Sequence, residues 1–196
     1  MKKILALFVL IIIVIGSLFL ILGNPCNGYS CLDFKNKESF KETEQIENTQ
    51  ASYRGLLTKG DIRIRLEAYS AASQKIAEGF TQTKVMLLQG LFETVRSPYP
   101  GVLSNEIVCE ERFKPTTKEI IIGGAKATVV TGFLNDRLQY GSCLESQLTF
   151  TGKTAMFYCD TQKKWYYFET ISKRGENGLD LETTHLIQSL KCQKSF

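Results

Sequence analysis

Six cysteines and one histidine are the side chains with the widest chemistry in this chain of 196 residues. The cysteines are Cys26, Cys31, Cys109, Cys143, Cys159 and Cys192. Both residue types bind zinc, but no two cysteines have the C-x-x-C spacing and His185 is the only histidine, so we expect no metal site. An even number of cysteines is typical of disulfides in an oxidising compartment, so all six are disulfide candidates.

Cys26 and Cys31 form the one disulfide that the spacing favours. The two residues enclose the turn-forming sequence NGYS, which keeps them close together. The other four cysteines allow three pairings, and the sequence does not choose among them.

An acyl-transfer enzyme would need His185 as its general base, because the chain has no other histidine. His185 falls in a predicted final helix, where a half-buried surface histidine is the favoured interpretation. The sequence TGKT at 151–154 ends like a phosphate-binding loop but has Gln147 where that loop needs a glycine. We therefore predict no catalytic residue and no cofactor, and an exported hydrolase using His185 is the enzymatic alternative.

The sequence TAMFYCDTQKKWYYFETI, residues 154–171, is the densest aromatic stretch and a candidate binding surface. A two-residue turn at Thr161-Gln162 would place Tyr158 opposite Trp165 in a hairpin. Both faces of that hairpin would be apolar, so we expect helices to cover it on both sides. If one side stayed uncovered, Tyr158, Trp165 and Tyr167 would form an exposed aromatic binding face.

An apolar run, ILALFVLIIIVIGSLFLILG at residues 4–23, precedes all of these positions and has no charged side chain. As a helix it would be about 30 Å long, the thickness of the hydrocarbon core of a bilayer. Lys2 and Lys3 precede the run, and the next basic residue is Lys35, so the N-terminus is predicted to be cytoplasmic. We predict a single-pass signal anchor in the cell membrane, with a cleaved signal peptide or a lipid-modified Cys26 as alternatives.

The anchor divides the chain into four predicted parts. Residues 1–3 are a cytoplasmic stub, residues 4–23 the transmembrane anchor, residues 24–60 an extracytoplasmic stalk with the Cys26–Cys31 loop, and residues 61–196 a disulfide-stabilised α+β domain. The stalk is predicted because residues 32–59 are polar, mixed in charge and poor in large apolar side chains.

Within the domain the pattern changes from helical to β. Apolar residues in 61–96 recur at helical spacing, although Ile62, Ile64 and Leu66 alternate as in a strand, so a helix is expected from about Ser70. Strands are expected at 105–113, 118–134 with a turn at Gly123-Gly124, 137–141 and 146–152. After the aromatic hairpin, Asp180 is expected to cap a final helix over 181–192.

This order predicts an α+β fold, an antiparallel sheet flanked by helices as an α/β/α sandwich. It resembles the PsbP-like α/β/α sandwich over residues 106–192, through the hairpin IIIGGAKATVV, the strands LTFTGKTAMFYCD and KKWYYFETI, and the closing helix ending HLIQSLKC. The resemblance implies a non-catalytic domain that docks on larger assemblies. The chain also resembles type IV pilins and pseudopilins in joining an apolar N-terminal helix to a disulfide-containing sheet, although MKKILALFVL lacks their processing glutamate.

The charge balance narrows the choice of partner. The net charge is +4, and without Lys2 and Lys3 the chain has 22 basic against 20 acidic residues, too balanced for a nucleic-acid-binding surface. The expected partners are the lipid bilayer, through residues 4–23, and an unidentified protein. We therefore predict a membrane-anchored extracytoplasmic interaction or accessory domain that is not an enzyme, with a pilin-like assembly subunit as an alternative.

Overall fold

The computed structural model describes residues 31–49, 51–93, 115–137, 148–176 and 178–193. These residues contain nine strands, which follow one another as β1 (Leu32–Asp33), β2 (Lys41–Asn48), β3 (Ser52–Lys59), β4 (Ile62–Ser70), β5 (Thr116–Ile122), β6 (Ala125–Leu134), β7 (Phe150–Cys159), β8 (Lys164–Lys173) and β9 (Lys191–Cys192). Two α-helices, α1 (Gln74–Glu93) and α2 (Leu179–Gln188), follow β4 and β8. A short 3₁₀ helix, Lys37–Ser39, precedes β2.

Seven strands form one antiparallel sheet in the order β2-β3-β4-β8-β7-β6-β5. Three strands from the N-terminal half therefore join four from the C-terminal half, and the junction is the pairing of β4 with β8. The short strands β1 and β9 pair with each other as a separate two-stranded sheet. Within the described residues, β2 and β5 are the edges of the large sheet.

Glycines set the tight turn between β5 and β6. Gly123 and Gly124 both have positive φ, 54° and 86°. A type I′ hairpin needs two successive residues with positive φ, a conformation that residues other than glycine rarely adopt. The strands on either side pair in unbroken register from Ile122 opposite Ala125 to Thr116 opposite Thr131. The predicted turn at Gly123-Gly124 is confirmed.

Each face of the sheet buries its own core. On one face, Ile64, Leu66 and Phe168 pack with Leu186 and Ile187 of α2. On the other face lie buried side chains from β7, β8 and α1, namely Met156, Tyr158, Trp165, Tyr167, Ala77 and Leu88. Since successive strand residues point to opposite faces, the continuously buried residues of β8 supply both cores.

Helix α2 begins without the predicted cap. Its N-cap is Gly178, which has no side-chain capping hydrogen bond, and Asp180 lies in the first turn. Asp180 instead pairs with Lys153 on β7, with 2.7 Å between Oδ1 and Nζ. This ion pair, together with the buried side chains of Leu186 and Ile187, fixes α2 against the sheet.

The predicted fold class, an α+β sandwich, is wrong, while the transmembrane helix predicted to precede it at residues 4–23 lies outside the described residues. The described residues form a mainly antiparallel β fold in which strands hold far more residues than the two helices. The sheet also extends beyond residues 106–192, because β2, β3 and β4 supply three of its seven strands. None of the described helices is long and apolar enough to cross a membrane.

The N-terminal part of the predicted domain plan also needs correction. Residues 41–59, assigned to a stalk, form β2 and β3. Residues 62–70 form β4, the strand that the alternation of Ile62, Ile64 and Leu66 allowed, and the helix starts only at Gln74. The predicted anchor at 4–23, the strand at 105–113 and most of the strand at 137–141 lie outside the described residues.

Candidate functional site

The aromatic residues proposed as a binding face are part of the core. Tyr158 is 7%, Trp165 3% and Tyr167 1% exposed. Helix α1 covers them, and the indole Nε1 of Trp165 donates a hydrogen bond to Thr81 Oγ1 at 2.8 Å. The ring of Phe80 on α1 also lies 5.9 Å from that of Trp165. A buried and hydrogen-bonded tryptophan cannot serve as an open ligand platform.

The predicted register of this hairpin is confirmed, because Tyr158 lies opposite Trp165. The strands end at Cys159 and Lys164, so four residues connect them in place of the predicted two-residue turn. Gln162 N donates to Cys159 O at 3.2 Å within the turn. The hairpin is therefore the centre of the sheet, with a structural role.

The three cysteines among the described residues are all in disulfides. Cys159 and Cys192 form a disulfide with Cα atoms 6.0 Å apart, which ties β9 to the hairpin end of β7. Cys31 is also disulfide-bonded. Its partner lies outside the described residues, as do Cys26, Cys109 and Cys143. The Cys26–Cys31 pairing stays a prediction.

His185 lies on the solvent-exposed side of α2. Within the described residues its imidazole has no hydrogen bond or ion pair, so neither a carboxylate nor a hydroxyl orients it as a base. No group of three or more potential metal ligands occurs in the described part of the chain. The position of His185 gives no support to a hydrolase centred on it.

An open groove of about 330 Å³ lies between α2 and the β5 side of the sheet. Its apolar lining comes from Ile120, Val129 and Ile187, and its polar lining includes Lys118, Lys153 and Thr184. The volume is at the lower end of the range for ligand pockets in proteins, and the mixture of an apolar base with a few polar groups is typical of them.

The two lysines of the groove differ in their partners. The ammonium group of Lys153 donates to Thr184 Oγ1 at 2.6 Å and to Asp180 O at 2.9 Å, and it pairs with the Asp180 carboxylate. These contacts use its three donors. Lys118 is exposed, and within the described residues its ammonium group makes no ion pair or hydrogen bond. Among the described residues that line the groove, Lys118 is thus the available positive charge.

A second, charged cavity of about 280 Å³ lies on the opposite face, near β2, β3 and β4. Arg54, Arg65, Glu44 and Glu67 line it, together with Arg137. Arg65 pairs with the fully buried Glu169, with 2.9 Å between Nη1 and Oε2. Because this buried carboxylate needs a counter-charge, the ion pair has a structural role.

The carboxylate of Glu67 is also paired internally, in contacts that involve α1. It accepts from Lys84 Nζ on α1 and from the Tyr69 hydroxyl, both at 3.4 Å. Lys84 also lies 4.4 Å from the centre of the Tyr167 ring. Burial raises the pKa of Tyr167, and the negative charge of Glu169 raises it further. These contacts link α1 to the sheet, and they leave the groove beside α2 as the better candidate site.

The residues of the groove were not singled out from the sequence. Ile120 lies on β5, Val129 on β6, Lys153 on β7 and Ile187 on α2, so only the folded sheet brings them together. The one local signal was the repeated isoleucine of IIIGG, which indicated a strand before a turn. It gave no indication that this strand would be a sheet edge.

Comparisons with known proteins give structural similarity alone. No family model matches the sequence, and no curated protein matches it. A crystal structure from Bacteroides thetaiotaomicron VPI-5482 is similar with a TM-score of 0.43 and 10% sequence identity. The similarity covers 84% of this chain and 46% of that one, so the matched part spans less than half the length of that protein.

Proposed function

We propose that this protein is an extracytoplasmic interaction domain that acts by contact, and that the groove between α2 and β5 is its contact surface. The observation that carries the proposal is the groove itself, an open concave surface with an apolar base and a lysine, Lys118, that has no ion pair among the described residues. Such a surface can hold an apolar side chain of a partner while the lysine selects a negative charge beside it.

The other cavity is a poorer contact surface. Arg65 and Glu67, which line it, are already paired with Glu169 and Lys84. A partner would have to replace these ion pairs, and leaving Glu169 unpaired in the core would cost about 3–5 kcal/mol. The groove beside α2 can receive a partner without breaking any such contact.

The location outside the cytoplasm is part of the proposal. The disulfide between Cys159 and Cys192 supports it, because disulfides persist mainly in oxidising compartments. Mass spectrometry of the mature chain under non-reducing conditions tests it, and we expect three disulfides. Six free thiols would contradict the proposed location.

The resemblance of residues 106–192 to the PsbP-like proteins also belongs to this proposal. The order of elements supports it: the glycine hairpin of β5 and β6, the long strands β7 and β8, and helix α2 follow one another along the chain. What the resemblance implies, a non-catalytic domain docking on a larger assembly, agrees with a contact role for the groove.

Photo-crosslinking from two positions of α2 tests the contact surface. Benzoylphenylalanine replaces Gln188, which lines the groove, or His185, which is exposed on the same helix and does not line it. We expect a discrete protein adduct from position 188, absent from position 185 and lost when Lys118→Glu is added. Equal adducts from both positions, or none from position 188, would overturn the proposal.

A further inference from the structure

We infer that β5 binds an extended peptide of a protein partner as an added strand of the sheet, with alternate side chains of the peptide entering the groove beside α2. This inference rests on the proposed function, and it names the partner's conformation and chemistry. It starts from an edge of the sheet that has no pairing strand among the described residues and that borders the groove directly, through Lys118 and Ile120.

The turn type fixes which backbone groups of β5 face outward. In a two-residue hairpin the flanking residues, here Ile122 and Ala125, exchange hydrogen bonds with each other. Counting back in steps of two, Ile120 and Lys118 also bond to β6. The N–H and C=O groups of Ile121 and Glu119 therefore point away from the sheet.

Within the described residues these outward groups are available, because neither Glu119 nor Ile121 makes a backbone hydrogen bond to any element outside the β5–β6 pair. The side chain of Ile121 is 70% exposed, unusually high for an isoleucine in a strand. The pairing of β5 with β6 has no register shift, so the edge is regular along its length. A regular unpaired edge is a ready template for another strand.

The groove predicts the side chains of the added strand. Peptide residues that face α2 would lie beside Ile120 and Lys118, which are two positions apart on the same face. An apolar side chain fits beside Ile120, over the base formed by Val129 and Ile187. A carboxylate two residues away would meet the unpaired ammonium group of Lys118. We expect peptides with an apolar and an acidic residue separated by one residue.

A second copy of β5 is a poorer occupant of this edge. Antiparallel pairing of two copies along their full length, with Thr116 opposite Ile122, would set Glu119 directly opposite Glu119. Like charges directly opposite each other destabilise a strand pair. The edge is therefore better suited to a different chain that carries the acidic residue opposite Lys118.

A phage-displayed library of random twelve-residue peptides, selected on the oxidised full-length chain, supplies the probe. The decisive variant is Glu119→Pro, which removes the outward N–H and leaves the bonds of Lys118 and Ile120 to β6 intact. Glu119→Ala is the matched control, because it loses the same ion pair with Lys126 but keeps the N–H. We expect Glu119→Pro to weaken binding of a selected peptide about tenfold, and Glu119→Ala much less.

Methylation of single peptide amides tests the same contact without altering the protein. Methyl groups on alternate peptide residues, those whose N–H faces β5, are expected to abolish binding, while methyl groups on the intervening residues have little effect. Deuterium exchange at the amides of Glu119 and Ile121 should slow in the complex. Equal effects of Glu119→Pro and Glu119→Ala, together with no alternation along the peptide, would overturn strand addition.

Further outcomes separate this inference from the proposed function. Peptides whose binding is lost with Lys118→Glu or Gln188→Trp, yet is unchanged by Glu119→Pro, would overturn strand addition and keep the groove as the contact surface. Peptides insensitive to all of these variants would overturn both. A dimer of the full chain that Glu119→Pro dissociates would replace the peptide partner with a second copy.

Discussion

The two edges of the sheet, β2 and β5, differ in how they meet solvent. The β2 edge carries three glutamates, Glu42, Glu44 and Glu47, and its pairing with β3 shifts register twice. The β5 edge carries one glutamate and one lysine, pairs with β6 without a shift, and exposes Ile121. Charges and bulges are the devices by which proteins block unwanted strand pairing. In the part of the chain that the structure describes, one edge of this sheet is therefore protected and the other is open.

The two edges also differ in what lies beside them. The groove borders β5, and its wall, α2, continues into β9, which the Cys159–Cys192 disulfide ties to the sheet. The β2 edge is instead held to β3 by side-chain contacts, among them the hydrogen bond that the Tyr53 hydroxyl donates to Glu42 at 2.6 Å. The open edge is thus also the edge next to a surface that could recognise side chains.

The largest expected effect comes from removing the disulfide that holds the wall of the groove. The Cys159→Ala/Cys192→Ala variant opens a loop of 33 residues, which should lower the free energy of unfolding by about 3–4 kcal/mol. Hydrogen exchange should rise most in α2 and β5 and less in β2 and β3. Urea denaturation and exchange mass spectrometry measure these changes. A loss below about 1 kcal/mol would show that packing alone holds α2 in place.

The next effect tests which backbone groups of β5 face β6. Ile120→Pro removes an N–H that bonds to β6 and should destabilise the protein by about 3 kcal/mol, while Glu119→Pro should cost less than about 1 kcal/mol. Urea denaturation of the two variants gives the difference. If the two prolines cost the same, or if their order is reversed, the outward direction of Glu119 and Ile121 is wrong.

The two edges also differ in how well the sequence predicted them. The hairpins at Gly123-Gly124 and Thr161-Gln162 were predicted because glycines and polar turn residues separate runs of β-forming residues. Strand β2 was missed because its sequence KETEQIEN has one large apolar residue, Ile46, which is 60% exposed. An edge protected by charge carries no alternating apolar pattern, so pattern reasoning assigned it to a stalk.

Strand β3 was missed for a related reason. Its buried large side chains are Tyr53 and Leu57, with Gly55 between them on the same face. A Cβ at Gly55 would overlap the Tyr53 hydroxyl, so the glycine makes room for the tyrosine to reach Glu42. In a sequence, a glycine argues against a strand. The packing role of Gly55 depends on the contact of Tyr53 with Glu42 on the neighbouring strand, which the sequence does not show. The groove could not be predicted from the sequence either, because its lining residues come from four elements, β5, β6, β7 and α2, that only the folded sheet brings together.

A smaller effect tests how the protected edge is held. Tyr53→Phe removes the hydrogen bond to Glu42 and should cost about 1–2 kcal/mol, because the acceptor is charged. Exchange of the β2 amides should rise while that of β5 stays unchanged. Gly55→Ala, which displaces the tyrosine hydroxyl, should reproduce the effect. Equal increases at both edges would show a global loss of stability and no specific anchoring of β2.

The smallest effect on stability gives the sharpest comparison of the two edges. Ile121→Lys on β5 and Ile46→Lys on β2 each place a lysine at an exposed edge isoleucine, 70% and 60% exposed respectively. Each should change the free energy of unfolding by less than about 0.5 kcal/mol. Binding of the selected peptides should weaken with Ile121→Lys, because a charge there opposes strand addition, and should be unchanged with Ile46→Lys. Fluorescence anisotropy of a labelled peptide measures both. Equal losses would mean that β5 is no more open to a partner than β2.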